Sequence, residues 1–202
     1  MSVRDARTPP RPDTAASAPW PVAEGSRRLT WPPSAPSVAV VVIIMAAAVS
    51  DLRSRRVPNA LTIGAAVLAI AFHGVVGGWS GLVLAVSGCL AGFVLFFPFF
   101  ALGGLGAGDV KLLAAIGAWL GPMAAVWTGL IGAVAGGIMA VVVASTRGYA
   151  GTAFRNVGAM LRLWSIAGVQ PVEGLTLTSK ASVRLPYAVP IAAGALVTLW
   201  MS

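Results

Sequence analysis

GLVLAVSGCLAGFVLFFPFFAL, residues 81–102, runs its full length without a charged side chain. A helix rises about 1.5 Å per residue, so roughly 20 apolar residues are needed to cross a hydrocarbon core about 30 Å thick. The stretch meets that length and predicts a membrane-spanning helix. Composition points the same way. Of 202 residues, 57% are hydrophobic and only 10% are charged, against roughly 25% charged in an average soluble domain. So few charges do not cover a soluble globule, and a chain this apolar is not disordered throughout. The single cysteine, Cys89, excludes an internal disulfide framework and a cysteine-rich zinc site. In such a chain the net charge of +8 reads as positive charge held on the cytoplasmic face, and nucleic acid is not expected as a partner.

Outward from this stretch, further apolar segments are predicted at 35–49, 60–76, 110–120, 123–146 and 185–201. The fold class is therefore all-α: a polytopic membrane helix bundle of about six transmembrane segments, occupying residues 34–202. Residues 1–33 form a polar leader rich in Pro, Ala, Ser and Arg. It has no core to bury and is expected to be disordered, and it lacks the apolar region of a secretory signal. Ser34 is placed to cap the first helix, and Trp31 suits the interface. Residues 50–59 form a polar loop, 77–80 a short turn and 103–109 a glycine-dense loop that enters the fourth segment. That segment is short, reaching only about 17 Å. In the loop from 147 to 184, Phe154, Val157, Leu161 and Trp164 fall near helical spacing, which predicts an interfacial amphipathic helix.

The acidic residues are Asp5, Asp13, Glu24, Asp51, Asp109 and Glu173. Asp51 and Asp109 abut apolar runs, where a carboxylate is costly and functional by default. The plainer alternative is a pair of solvated helix caps. Six crossings put both aspartates on one face, together with Arg53, Arg55, Arg56, Lys111, Arg147, Arg155, Arg162, Lys180 and Arg184. The opposite short loops carry no Lys or Arg. This asymmetry makes the aspartate face cytoplasmic in a plasma (inner) membrane, although the five arginines of the leader would then lie outside.

Two aspartates on one face of a helical bundle suggest an aspartic protease. One ionised carboxyl acts as general base on a water, and its protonated partner donates to the scissile carbonyl oxygen. Glycines before Asp109 allow a backbone to approach closely. Gly106-Ala107-Gly108-Asp109 is a GxGD box, continued by Val110-Lys111-Leu112-Leu113-Ala114-Ala115-Ile116-Gly117-Ala118-Trp119-Leu120-Gly121. Upstream, Asp51 is followed at fixed spacing by Pro58-Asn59. Over about residues 36–146 the chain resembles the type IV prepilin peptidase family, the GxGD aspartic proteases of the bacterial inner membrane.

That resemblance implies catalytic roles for Asp51 and Asp109. It also implies a prepilin or pseudopilin substrate with a short basic leader, a glycine before the cut and a hydrophobic helix after it. The family's larger members add a cysteine-paired zinc region and methylate the new N-terminus with S-adenosylmethionine. This chain resembles the short form found with Flp/Tad-type pili, so no metal and no cofactor are expected. Presenilin-like proteases share the GxGD box, but the Pro58-Asn59 spacing argues against that branch.

Gly106, Gly108, Lys111, Pro58 and Asn59 are candidates for shaping the site or touching substrate. Each has a plainer reading. Lys111 projects about 200° from Asp109 on a helix and would snorkel to anionic lipid headgroups, which are an expected partner. Pro58-Asn59 would be a turn, with Asn59 as N-cap of the second helix. Arg53, Arg55 and Arg56 would set topology. His73 and Cys89 would pack, and Glu173 would be solvated. The rival to a protease is a transporter or assembly component that uses Asp51 and Asp109 as a proton or cation site.

Overall fold

The computed structural model describes residues 34–148, 150–167 and 186–202. The leader, Glu173, Lys180 and Arg184 lie outside them, as do the side chains of Leu161 and Trp164. Among the described residues there is no strand. The helices are α1 (Ala35–Ser54), α2 (Asn59–Ala101), α3 (Ala107–Leu120), α4 (Pro122–Thr146), α5 (Ala150–Ala167) and α6 (Ala188–Met201). Three of them, α1, α2 and α4, are long and apolar enough to cross a membrane, and α6 is a shorter apolar helix. Val42, Leu68, Val94 and Ile138 stand exposed on their outward faces, as expected where lipid is the solvent.

The 77–80 turn is narrower than the sequence suggests. Only Gly78 leaves the helical region, at φ 57° and ψ −140°, a conformation that favours glycine. The Ser80 hydroxyl donates to the Gly77 carbonyl at 2.9 Å and satisfies an acceptor at the break. Here α2 folds back on itself: a Cβ added at Gly81 would strike the His73 carbonyl. Its arms, 59–77 and 79–101, flank α3. The first arm runs parallel to α3, with Asn59 beside Lys111 and His73 beside Trp119. The second runs antiparallel, with Gly88 against Gly117 and Gly92 against Leu113. A Cβ at Gly88 or Gly117 would collide with the other's backbone. Small residues of this kind let membrane helices approach closely where no hydrophobic force between helices exists.

Because α3 is enclosed by both arms, it is buried almost all round, from Val110 through Trp119. A helix that is apolar on every face belongs in such a place. The fourth helix packs antiparallel on α6. Gly194 fits against the Thr128 carbonyl, Gly136 lies under the Tyr187 ring, and the Thr128 hydroxyl donates to Thr198 at 3.2 Å.

Helix ends also differ from the sequence reading, and they differ where the polar residues are. The first helix continues past Val49 to Ser54, so Asp51 is helical and not part of a loop. The Ser54 hydroxyl donates back to the Ser50 carbonyl at 2.8 Å, and Arg55, at φ 50°, closes the helix. Polar side chains at a helix end reach water without leaving the helix. The third helix begins at Ala107, so Asp109 lies in its first turn. The last begins at Ala188. Ser34 does occupy the N-cap position of α1, but its hydroxyl pairs with Ser37 and makes no bond to a helix amide.

Candidate active site

The C-terminal end of α1, both ends of α2, and the starts of α3 and α6 meet at one end of the bundle. All but the C-terminal end of α2 bring a polar group. Asp51 and Asp109 are both buried there, at 6% and 8% exposure. Each carboxyl is gripped through one oxygen by a backbone amide. The Ala188 N–H, at the start of α6, donates to Asp51 Oδ2 at 3.1 Å. The Gly106 N–H donates to Asp109 Oδ2 at 3.2 Å, while Asp109 N–H donates to the Gly106 carbonyl at 3.1 Å. This is the acidic half of a capping box, supplied by the third residue of the helix. Asp109 lies in the field of Asp51, and Asp51 in that of Arg55.

The glycines of the GxGD box have separate reasons. Gly106 is extended, at φ −80° and ψ 147°. A Cβ there would sit 3.0 Å from Asp109 Oδ2 and press on the carboxyl. A Cβ at Gly108 would meet Val57 Cβ at 3.2 Å. Val57 belongs to the loop between α1 and α2, which Ser50 and Ser54 tie down through the Arg56 carbonyl at 2.9 and 3.3 Å. Gly108 thus lets the loop that follows Asp51 close against the helix that carries Asp109.

Two expectations are corrected at this end. Asn59 is not the N-cap of α2. Pro58 occupies that position, and Asn59 is the first helical residue. Its side-chain oxygen is then free to accept from Lys111 Nζ at 3.0 Å. The lysine is therefore engaged with a protein acceptor instead of only snorkelling to lipid, and it joins α3 to the first arm of α2. Pro58 sets the extended backbone at the helix start, at φ −62° and ψ 136°.

Tyr187 is a site neighbour that the sequence reading passed over. Burial, and after it the charge of Asp109, push its phenol up from the ordinary tyrosine range. Its ring rests on Gly136 of α4. Ala188 and Val57 were also missed, because a backbone N–H and a loop valine carry no signature in composition or spacing. The prolines at 186 and 190 that frame Tyr187 and Ala188 were the available signal.

The family model described as "Type IV leader peptidase family" matches residues 38–141, which include Asp51, Pro58-Asn59 and the GxGD box. The "Type 4 prepilin-like proteins leader peptide-processing enzyme" of Escherichia coli O78:H11 (strain H10407 / ETEC) is 35% identical over 129 residues, which is 56% of this chain and 46% of that relative. The chain thus spans less than half the length of that curated relative. No solved structure matches the chain. The match takes in α1, α2, α3 and most of α4, the helices that carry both buried carboxyls, and on it the chain belongs to the type IV leader peptidase family.

Proposed function

We propose that the chain is a multi-pass aspartic endopeptidase that removes the leader from prepilin-like substrates, with Asp51 and Asp109 as its catalytic pair. The observation that carries this reading is the pair itself: two buried carboxyls at one end of the bundle, each held through a single oxygen by a backbone amide, with Asp109 in the field of Asp51. Among the described residues, no hydrogen bond reaches the other oxygen of either carboxyl, Oδ1. A water and a peptide carbonyl need those positions. Two like charges at close range favour a shared proton. The ionised member takes a proton from water as the oxygen attacks the scissile carbonyl carbon. The protonated member donates to the carbonyl oxygen, and the tetrahedral intermediate then collapses with proton transfer to the leaving nitrogen. The name of the Escherichia coli relative, a processor of prepilin-like leaders, supports the substrate class.

The cations on the aspartate face support a cytoplasmic orientation of the site. Anionic lipid headgroups are the natural partners of Arg53 and Arg56 there. A transporter that used the same aspartates is the less favoured reading. Its ion site belongs near the bilayer midplane with access from both sides, whereas these carboxyls sit where helices end.

The test is substitution of each aspartate. Asp51→Asn and Asp109→Asn should each abolish leader removal, scored as the ratio of cleaved to uncleaved prepilin in membranes with equal enzyme levels. Glu173→Gln serves as control and should process normally. Substantial cleavage by either Asn variant would remove the aspartic assignment.

A further inference from the structure

The fifth helix stands apart from the rest of the bundle. Among the described residues it packs on no helix but α4. The Phe154 and Val157 side chains are 64% and 50% exposed, so the face they share is left largely open. At about 100° per residue they lie about 60° apart around the helix, and the spacing recurs in the sequence at Leu161 and Trp164. Arg155 lies about 160° from Val157, on the other side. The helix holds two arginines, Arg155 and Arg162, and no acid. We propose that α5 is a membrane-surface helix that binds anionic phospholipid, with Phe154 and Val157 at the acyl boundary and Arg155 at the headgroup phosphates. This role needs only that α4 crosses the bilayer, and it is independent of the peptidase chemistry.

The path of the chain places α5 at the bilayer surface. The last large apolar side chains exposed on α4 are Val141 and Val142, and exposed Ser145, Thr146 and Arg147 follow. The hydrocarbon boundary therefore falls close to Ser145. Only residues 147–149 separate α4 from α5, and they do not carry the chain away. The Gly148 N–H donates back to the Ser145 carbonyl at 3.2 Å, and Gly148 turns the backbone at φ 74°, a region that favours glycine. A helix held at that level meets headgroups with its polar side and acyl chains with its apolar side. Charge then selects the lipid. Arg147, Arg155 and Arg162 lie in a stretch, 147–167, that contains no Asp or Glu, so its field attracts anionic headgroups. The same charge works against a second copy of this helix as the cover, because like charges placed face to face repel. Water is a poor solvent for a strip that holds Phe154 and Val157.

The experiment uses the full-length protein in nanodiscs of phosphatidylcholine, alone or mixed with phosphatidylglycerol. Val157→Cys and Thr152→Cys, each in a Cys89→Ala background, carry a spin label. Thr152 is exposed and lies about 140° from Val157, on the polar side. The Val157 label should be reached by oxygen, which concentrates among acyl chains, and the Thr152 label by a water-soluble nickel chelate. The readout is the ratio of lipid-embedded to water-exposed label at Val157. Phosphatidylglycerol should raise it. Arg155→Gln should lower it about fivefold in discs with phosphatidylglycerol, the effect of one basic residue near an anionic surface, and leave it unchanged in phosphatidylcholine alone. A Val157 label open to nickel in both lipids would overturn the surface placement. Equal ratios in the two lipids would overturn the anionic preference. A label shielded from oxygen and nickel alike would overturn the lipid as occupant and point to a protein on that face. Leader removal is not read, so failure of the peptidase assignment is distinct from each of these results.

Discussion

Asp109 takes its hydrogen bond from Gly106, three residues upstream, whereas Asp51 takes its own from Ala188, 137 residues downstream. The first carboxyl is seated by a local motif: an extended glycine, a helix start and an acid in the first turn. The second is seated by tertiary structure. Its donor belongs to α6, and α6 is placed by its packing on α4 through Gly194, Thr128 and Thr198. The family match ends at residue 141, before α6 begins. Half of the candidate pair therefore depends on a helix outside the matched region. A local seat resists disturbance elsewhere in the fold, while a remote one transmits it.

The sharpest test asks whether the two differently seated carboxyls act as one unit. Each single Asn variant should lose about a thousandfold or more of the processing rate, and the double variant should be no worse than either, because residues that act together are strongly non-additive. Activity against pH should be bell-shaped, falling at low pH as the base becomes protonated and at high pH as the shared proton is lost. Losses that multiply in the double variant would break the pair into independent groups.

Next in size is the remote seat. A Cβ at Gly194 would overlap the Thr128 carbonyl and crowd Gly132, so Gly194→Val forces α6 away from α4. Overpacking costs about 1–3 kcal/mol, and a misplacement of about 1 Å costs roughly a hundredfold in rate. Thermal stability in detergent and processing should fall together. The local seat should respond differently. Gly106→Ala crowds only the Asp109 carboxyl, so processing should drop about tenfold with an unchanged melting temperature. If Gly106→Ala melts as low as Gly194→Val, the contrast between the two seats disappears. The smallest effect is expected at Lys111→Ala. It removes an exposed hydrogen bond worth at most about 0.5–1.5 kcal/mol and should slow processing no more than several-fold.

The same contrast explains what could be read from the chain before its structure. Long uncharged runs announce membrane helices because lipid demands them, and α1, α2 and α4 answered to that demand. The GxGD box was legible because every member of the Asp109 seat lies within four residues. Asp51 could be singled out by its cost, but not its partner, since nothing in residues 186–190 encodes a distance to residue 51. Helix ends misled for a related reason. Residues 50–54 and 107–109 looked like loop because hydropathy fades there, while hydroxyl and carboxyl bonds to the backbone carry the helix through them. Asn59 looked like a cap by residue type, and its acceptor went to Lys111 because Pro58 already fixed the turn.

The far end of α3 bears on the carboxyls as well. Trp119 Nε1 donates to the Ala65 carbonyl at 3.0 Å, and His73 Nε2 donates to the Trp119 carbonyl at 3.0 Å. With Lys111 on Asn59 at the other end, α3 is fastened to one arm of α2 at both extremities. Sliding one helix along another by a residue shifts it about 1.5 Å, more than proton sharing between two carboxyls tolerates. The indole and imidazole therefore act as an end stop. They set the axial position of Asp109 from ten residues away, much as a shoulder on a shaft locates a gear it never touches.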